Sequence, residues 1–234
     1  RFLIKVFSLT LVICALVAAW YWYNRIDEQI CRKVTSILSD HYPGLSVSLN
    51  SARRIEGEGI VLRGLKIRDP AIPGRWSELL KIDEILIACR TGVPDLIQND
   101  LQVEHVTVRR LAMQTCRRKD GHWSIQRLWP PPPQRRHRPI ISFEQSSIEI
   151  LDGPSVAKKG IKFNNIQMSL RHLPDNLVFS SAEPVRHALS INGTAAGDFF
   201  HRLQWNATYD PATSRWKLKG RVVDARIDNK LHAN

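Results

Sequence analysis

Short segments of alternating apolar residues recur along the chain at nearly even spacing, and this repetition restricts the fold more than any other feature of the sequence. In each copy, one apolar residue is followed after two positions by apolar residues at every second position. Residues at every second position of a β-strand share one face, so the first apolar residue is out of phase and predicts a bulge or the beginning of a strand. The copies are Leu62-x-x-Leu65-x-Ile67, Ile82-x-x-Ile85-x-Ile87, Val103-x-x-Val106-x-Val108 and Phe163-x-x-Ile166-x-Met168-x-Leu170.

Repetition of this kind is typical of a β architecture that grows by the addition of strands. Turn-forming pairs such as Asp120-Gly121 and Asn192-Gly193 separate the segments, and no stretch after residue 44 keeps a helical period. The sequence therefore predicts a mainly β fold. A chance recurrence of a short apolar pattern is the alternative interpretation.

The N-terminal part of the chain is different, because residues 6–23 carry no charge. Such a run is close to the length that spans the hydrocarbon core of a bilayer as a helix. Arg1 and Lys5 precede it, and the aromatic residues of 20–23 end it as an interfacial belt does. We therefore predict a transmembrane anchor over residues 1–24, with a cytoplasmic N-terminus. Cleavage by signal peptidase after Val17-Ala18-Ala19 is the alternative.

A second helix is predicted over residues 25–42, where apolar residues recur at helical spacing. Pro43-Gly44 ends it. We interpret this segment as a juxtamembrane amphipathic helix. Its predicted apolar stripe consists of Ile26, Ile30, Val34, Ile37 and Leu38.

The remaining chain is divided by a proline-rich and arginine-rich segment over residues 130–139, which cannot form a regular strand. We predict a first β-unit over 43–129 and a second over 140–234. The second unit shows no closing element, so an incomplete domain is one of the alternatives that stay open. Its final segments predict a hairpin in which Trp205 and Trp216 are neighbours.

No combination of residues in the sequence indicates catalysis. The eight histidines do not have the spacing of a metal site, and nucleotide-binding and nucleophile motifs are absent from the sequence. We therefore predict a protein that is not an enzyme and needs no cofactor or metal. The cysteines are expected to be unpaired, although a disulfide between Cys89 and Cys116 stays open.

The formal net charge of +12 is concentrated in short basic clusters. A predicted location outside the cytoplasm argues against nucleic acid as the partner. Lipid headgroups or other polyanions of the cell envelope are better candidates, and a solvated basic surface is the alternative. The candidate residues are Arg117, Arg118, Lys119, Arg135, Arg136 and Arg138.

Taken together, these features resemble the AsmA-like family, which is related to the bridge-like lipid-transfer proteins that carry a repeating β-groove. The resemblance rests on the membrane helix, on the short helix after it and on four later motifs. It covers residues 1 to about 170. The motifs are Leu45–Leu49, Gly59–Pro70, Leu79–Ile87 and the stretch from Leu101 through Lys119-Asp120-Gly121-His122-Trp123.

The resemblance implies a protein of the inner membrane that crosses it once and has its bulk in the periplasm. There, a curved antiparallel β-sheet forms an apolar groove that binds phospholipid or transfers it between membranes, with other envelope proteins as possible partners. The alternative is a scaffold with closed β cores, whose basic turns bind protein or polyanion. The residues expected to line a groove are Leu65, Ile67, Ile85, Ile87, Val106, Val108, Ile166, Met168 and Leu170.

Overall fold

The computed structural model describes residues 25, 27–55, 57–89, 103–118, 120–130, 139–151, 160–172, 189–210 and 215–225. These form one α-helix, α1, over 27–41, two short 3-10 helices and ten strands. The prediction of a mainly β fold is confirmed. The strands are β1 (Ser46–Ser48), β2 (Ser51–Ile55), β3 (Gly59–Arg68), β4 (Glu78–Cys89), β5 (Val103–Cys116), β6 (Ile140–Leu151), β7 (Ile161–His172), β8 (Leu189–Gly197), β9 (Phe200–Asp210) and β10 (Arg215–Ala225).

All ten strands belong to a single sheet, in which neighbours in sequence are mostly neighbours in space. The order is β1, β3, β4, β5, β6, β7, β8, β9, β10, and the short β2 pairs with β3 beside β1. β1 and β2 therefore lie at one end of the sheet and β10 at the other. No pairing between the described strands closes the sheet on itself.

One pair departs from the antiparallel arrangement that the sequence predicted, because β5 and β6 are parallel. Residues 117–139 connect them and return the chain to the end of the sheet where β5 began. A connection of this length can make such a crossover, whereas a tight hairpin cannot. The 3-10 helix Ser124–Leu128 is part of it.

The predicted anchor and the predicted division into two units stay predictions. No helix in the described part of the chain has the length and apolar composition to cross a membrane, and residues 6–23 lie outside that part. Residues 131–138 of the linker also lie outside it. The parallel pairing of β5 with β6 joins the strands on either side of the linker into one sheet.

Helix α1 lies against one face of the first strands. Ile30 and Val34 pack against the cluster formed by β2, β3 and β4, and Leu38 packs against the clusters that contain Leu65 and Ile67. Ile37 was predicted to share this stripe, but 53% of it is exposed. The residues that pack on the sheet, Ile30, Val34 and Leu38, follow the spacing i, i+4 and i+8, so Ile37 lies on a side of the helix that does not face the sheet.

The phase break in the repeat has a structural cause. Leu62 and Leu65 are three residues apart, yet both are buried against Leu49 and Ile85, so they lie on the same face of β3. Regular alternation would put them on opposite faces. Between them, Gly64 has a positive φ of 69°, which resets the alternation as a bulge residue does.

A positive-φ residue occurs at the same level in β3, β5, β6 and β7, but not in β4. The residues concerned lie between corresponding apolar positions, and the pairing registers place them in a line across the sheet. We call this line the bulge seam. Its positive-φ residues are Gly64 in β3, Arg110 in β5, Gln145 in β6 and Asn165 in β7.

One copy of the predicted repeat begins at a different residue in the structure. In β5 the residues that pair with the repeat of β4 are Val106, Val108 and Leu111, so this copy does not begin at Val103. Val103 pairs with Cys89 beyond a register shift at the end of β4. Because every strand of an amphipathic sheet contains apolar pairs at this spacing, the sequence alone did not distinguish the two alignments.

Two local predictions in the last strands were wrong. Asn192-Gly193, predicted as a turn, lies inside β8. The hairpin of β9 and β10 forms, but Trp216 faces Tyr209, at 4.6 Å between ring centroids, and Trp205 faces Gly220. The connection between the strands is longer than the two-residue turn type, which shifts the register and separates the two tryptophans.

An ion pair with a buried carboxylate holds the loop after β3 in place. Asp69 is fully buried, and its Oδ1 accepts hydrogen bonds from the backbone N–H of Ala71 (2.9 Å) and from Nη1 of Arg127 (2.7 Å). Arg127 comes from the 3-10 helix after β5. The pair therefore joins the β3–β4 loop to the crossover that precedes β6.

Candidate functional site: the apolar face of the sheet

Directly paired residues of neighbouring strands point to the same face, so the registers define rows of side chains that cross the sheet. Two such rows extend from β3 to β10 and consist almost entirely of apolar residues and glycine. The first is Ile60, Ile87, Val106, Ile141, Leu170, Ile191, Ala207 and Leu218; the second is Leu62, Ile85, Val108, Phe143, Met168, Gly193, Trp205 and Gly220.

The apolar character continues on the other side of the bulge seam. A third row crosses β3 to β7 and then continues through the β8–β9 turn region. We call the surface formed by the three rows the apolar face. Over the first five strands the third row consists of Ile67, Leu80, Met113, Ile148 and Phe163.

The opposite face is polar from β5 to β10. From β5 to β10, the residues next to the first apolar row carry hydroxyl, amide or ammonium groups. The sheet is therefore amphipathic from β5 to its β10 edge. This polar row is Thr107, Ser142, Ser169, Asn192, Asn206 and Lys219.

Seven of the nine residues that the sequence predicted as a groove lining belong to the three rows, and the other two, Leu65 and Ile166, lie beside the bulge seam between the second and third rows. The burial of the nine residues differs. One group is buried, with 3–6% of each residue exposed, and the other group is half-buried. The buried group is Leu65, Ile67, Val108 and Ile166, and the half-buried group is Ile85, Ile87, Val106, Met168 and Leu170.

Helix α1 explains the burial at one end. It covers the apolar face over β2 to β5, where Leu65 and Ile67 belong to its packing clusters. These helix-covered clusters contain no residue of the described strands β7 to β10. The apolar face is thus a sealed core near β3 and opens toward β10.

An open concavity of about 500 Å³ lies where the covering ends. Its lining spans β6 to β9 and includes Phe143, Met168, Gly193 and Trp205 from the second apolar row. The remaining six lining residues are polar, and they are Glu144, Gln167, Ser169, Asn192, Thr194 and Gln204. This shape and chemistry fit an apolar chain with a polar end.

The indole of Trp205 lies against Gly193, and both residues line this concavity. A Cβ on Gly193 would overlap the Trp205 ring, with Cε2 only 2.6 Å away. Because glycine has no side chain, the Trp205 ring can lie against β8 at this position. Neither residue was predicted as part of a site, and Asn192-Gly193 has the composition of a turn.

The β10 end of the apolar face is the most exposed part of the described sheet. Trp216 is 57% exposed, Leu218 70% and Val222 53%. These residues alternate along one strand and lie on the apolar face. They were not among the predicted site residues, although their spacing was the available signal.

The predicted basic residues are not gathered into one described cluster. Arg117 and Arg118 lie in the turn after β5, where Nε of Arg117 donates to the Gly121 carbonyl at 3.4 Å and Arg118 approaches Asp120 at 3.8 Å. Lys119, Arg135, Arg136 and Arg138 lie outside the described residues. Their proposed contact with headgroups or polyanions stays a prediction.

On the polar face, an ion-pair ladder crosses four strands. Glu84 accepts from Arg63 at 3.2 Å and from Arg109 at 3.0 Å, and Arg109 also donates to Glu144 at 3.0 Å. These hydrogen bonds, of which that from Arg109 is the strongest cause, lower the pKa of Glu84. Arg110 likewise lowers the pKa of Asp83, helped by Lys81.

The two lowered pKa values predict a loss of stability in acid. Because the folded state holds these carboxylates in the charged form, their contribution is present above the unfolded pKa of about 4 and is lost as the pH falls through the lower folded value. Glu84→Gln is expected to cost about 1 kcal/mol at pH 7 and much less at pH 3. Urea unfolding at both pH values measures this; an equal cost at pH 3 would contradict the charge assignment.

The described cysteines are free thiols, and burial raises the pKa of the Cys89 thiol. Cys89 ends β4 beside the beginning of β5, whereas Cys116 ends β5. Thirteen strand steps of about 3.3 Å separate these levels, which excludes a bridge in this fold. No group of three or more metal-ligating side chains occurs among the residues that the structure describes.

The scan against models of protein families finds no match for the chain, and the search of curated proteins finds none either.

Proposed function

We propose that this chain is an inner-membrane-anchored envelope protein whose apolar face binds lipid acyl chains and supports their transfer between membranes. The single observation that carries the proposal is the continuity of the apolar rows from the helix-covered core to the open β10 edge. Phospholipid is the proposed ligand. The anchor over residues 1–24 and a periplasmic location of the sheet belong to the same proposal.

The physical role of the apolar face follows from the cost of exposing a lipid tail to water, about 0.8 kcal/mol for each CH₂ group. A continuous apolar surface offsets this cost along its length. Eight strands at about 4.8 Å spacing extend roughly 34 Å across the rows. The polar residues that line the concavity keep the headgroup in a hydrated environment, so no catalytic group is needed.

Met168→Glu is expected to reduce lipid binding at least tenfold while the fold is kept, because Met168 is a half-buried residue in the lining of the concavity. The matched control is Gln145→Glu on the neighbouring strand β6, which adds the same charge at an exposed position that does not line the concavity. Binding is measured by transfer of fluorescent phospholipid from vesicles to the full chain in mild detergent.

Circular dichroism of both variants checks that the sheet is intact. Native mass spectrometry of the purified wild-type chain is expected to reveal bound phospholipid, and Met168→Glu to release it. Wild-type protein without lipid, or equal lipid transfer by wild type and Met168→Glu, would overturn the proposal.

A scaffold with a closed core is the second candidate, and it is favoured by the burial of Leu65, Ile67, Val108 and Ile166. In that case the open concavity is only a surface feature, and the exposed positions bind protein or polyanion. The same experiment separates the two candidates. A scaffold predicts no lipid uptake by the wild-type chain and a salt-sensitive protein or polyanion ligand instead.

A further inference from the structure

The outer edge of β10, which pairs with no other described strand, combines exposed apolar residues on one face with cations on the other. One face of the strand presents the exposed apolar residues Trp216, Leu218 and Val222. The other face presents only cations over four alternating positions. These are Arg215, Lys217, Lys219 and Arg221.

The neighbouring strand provides a carboxylate residue opposite only one cation of this row, because Arg215 pairs with Asp210. Lys217, Lys219 and Arg221 pair with Thr208, Asn206 and Gln204 of β9, all uncharged. Within the described part of the chain, none of the four cations forms an ion pair. Like charges at every second position lie about 7 Å apart, so they repel one another.

The interior of the same sheet indicates what neutralises such a row. On the polar face, Arg63 lies opposite Glu84, and Arg109 lies between Glu84 and Glu144 on the two adjoining strands. Each cation there has a carboxylate directly across at 3.0–3.2 Å. A strand placed outside β10 would complete the same arrangement if its residues on this face were acidic.

We infer that the β10 edge binds a β-strand of another protein, in which Asp or Glu residues alternate with apolar residues. The backbone of the added strand pairs with the outer edge of β10, as in other cases of strand addition. Its acidic residues pair with the four cations, and its apolar residues cover Trp216, Leu218 and Val222. The apolar face is thereby extended by one strand.

Charge decides against a second copy of this chain as the occupant. Two β10 strands paired with each other would bring eight cations onto the shared surface, which is destabilising for direct cross-strand pairs. The opposite edge of the sheet is no better suited, because β2 contributes Arg53 and Arg54. The inference concerns a protein partner and is independent of lipid binding.

The test uses the full chain in mild detergent and three labelled ten-residue peptides. One alternates Glu with Val, one alternates Lys with Val, and one alternates Glu with Pro, which keeps the charge but cannot pair as a strand. Only the Glu/Val peptide is expected to bind the wild-type chain by fluorescence anisotropy. Hydrogen exchange is expected to slow at the amides of Arg215–Ala225.

Charge reversal supplies the specific control. In the variant Lys217→Glu/Lys219→Glu, binding of the Glu/Val peptide is expected to weaken roughly tenfold or more, and the Lys/Val peptide is expected to bind instead. The same change on the opposite edge, Arg53→Glu/Arg54→Glu, is expected to leave both affinities unchanged.

Three results would overturn the inference. The first is equal binding of the Glu/Pro peptide, which would reduce the interaction to charge alone. The second is unchanged affinity of the Lys217→Glu/Lys219→Glu variant, or protection located away from β10. The third is protection of β10 that increases with protein concentration in the absence of peptide, which would identify a second copy as the occupant.

Discussion

Arg127→Ala is expected to lower the free energy of unfolding by about 3 kcal/mol, because it leaves Asp69 as a fully buried carboxylate without its cation. Burying an unpaired charge is more costly than losing an exposed ion pair. Urea unfolding, followed by circular dichroism, measures the change. Adding Asp69→Asn to Arg127→Ala is expected to restore part of the lost stability, since a neutral amide needs no counter-ion.

Arg63→Ala is the matched control for this prediction. Arg63 also pairs with a carboxylate, Glu84, but its side chain is 64% exposed. Its removal is expected to cost less than about 1 kcal/mol. Equal costs for Arg127→Ala and Arg63→Ala would show that the Asp69 junction does not stabilise the crossover.

Gly59→Ala is expected to destabilise the sheet by about 3 kcal/mol, for two reasons that add. Gly59 has a φ of 133°, a conformation that residues with a side chain rarely adopt. A Cβ at this position would also overlap the carbonyl oxygen of Ile87 on β4, with the carbonyl carbon 3.0 Å away. The change would push β3 away from β4 at the covered end of the apolar face.

The adjacent turn offers a control with only one of these two problems. Gly57 also has a positive φ, of 78°, but no atom lies within 4 Å of the position of its Cβ. Gly57→Ala is expected to cost about 1 kcal/mol, which reflects the backbone conformation alone. A cost for Gly59→Ala no larger than that for Gly57→Ala would contradict the contact with Ile87.

Several elements could be predicted because they depend on local periodicity. The spacing of Ile30, Val34 and Leu38 indicated a helix with one apolar stripe, and the structure packs these three residues on the sheet. Alternation indicated strands, and seven of the nine predicted lining residues lie in the three rows of the apolar face. Periods of 3.6 and 2 are properties of the backbone, so they are visible in the order of the residues.

Other elements depend on contacts between distant residues. The bulge seam was visible only as a phase break, since nothing in the sequence shows that Gly64, Arg110 and Asn165 lie in a line. The parallel pairing of β5 with β6 requires knowledge of where the crossover returns. Asn192-Gly193 fits a turn by composition, but Trp205 on the next strand needs the space over Gly193.

The sequence by itself determined that this chain forms β-strands with one apolar side, preceded by an amphipathic helix, because those properties follow from residue spacing. Only the tertiary structure decided which part of the apolar side becomes a core and which part stays open. That outcome depends on where α1 lies, since the same leucines and isoleucines pack equally well against a helix or a ligand. It also decided that the apolar rows reach β10, a cationic strand whose outer edge pairs with no other described strand, because strand order is set by long-range pairing and not by local pattern.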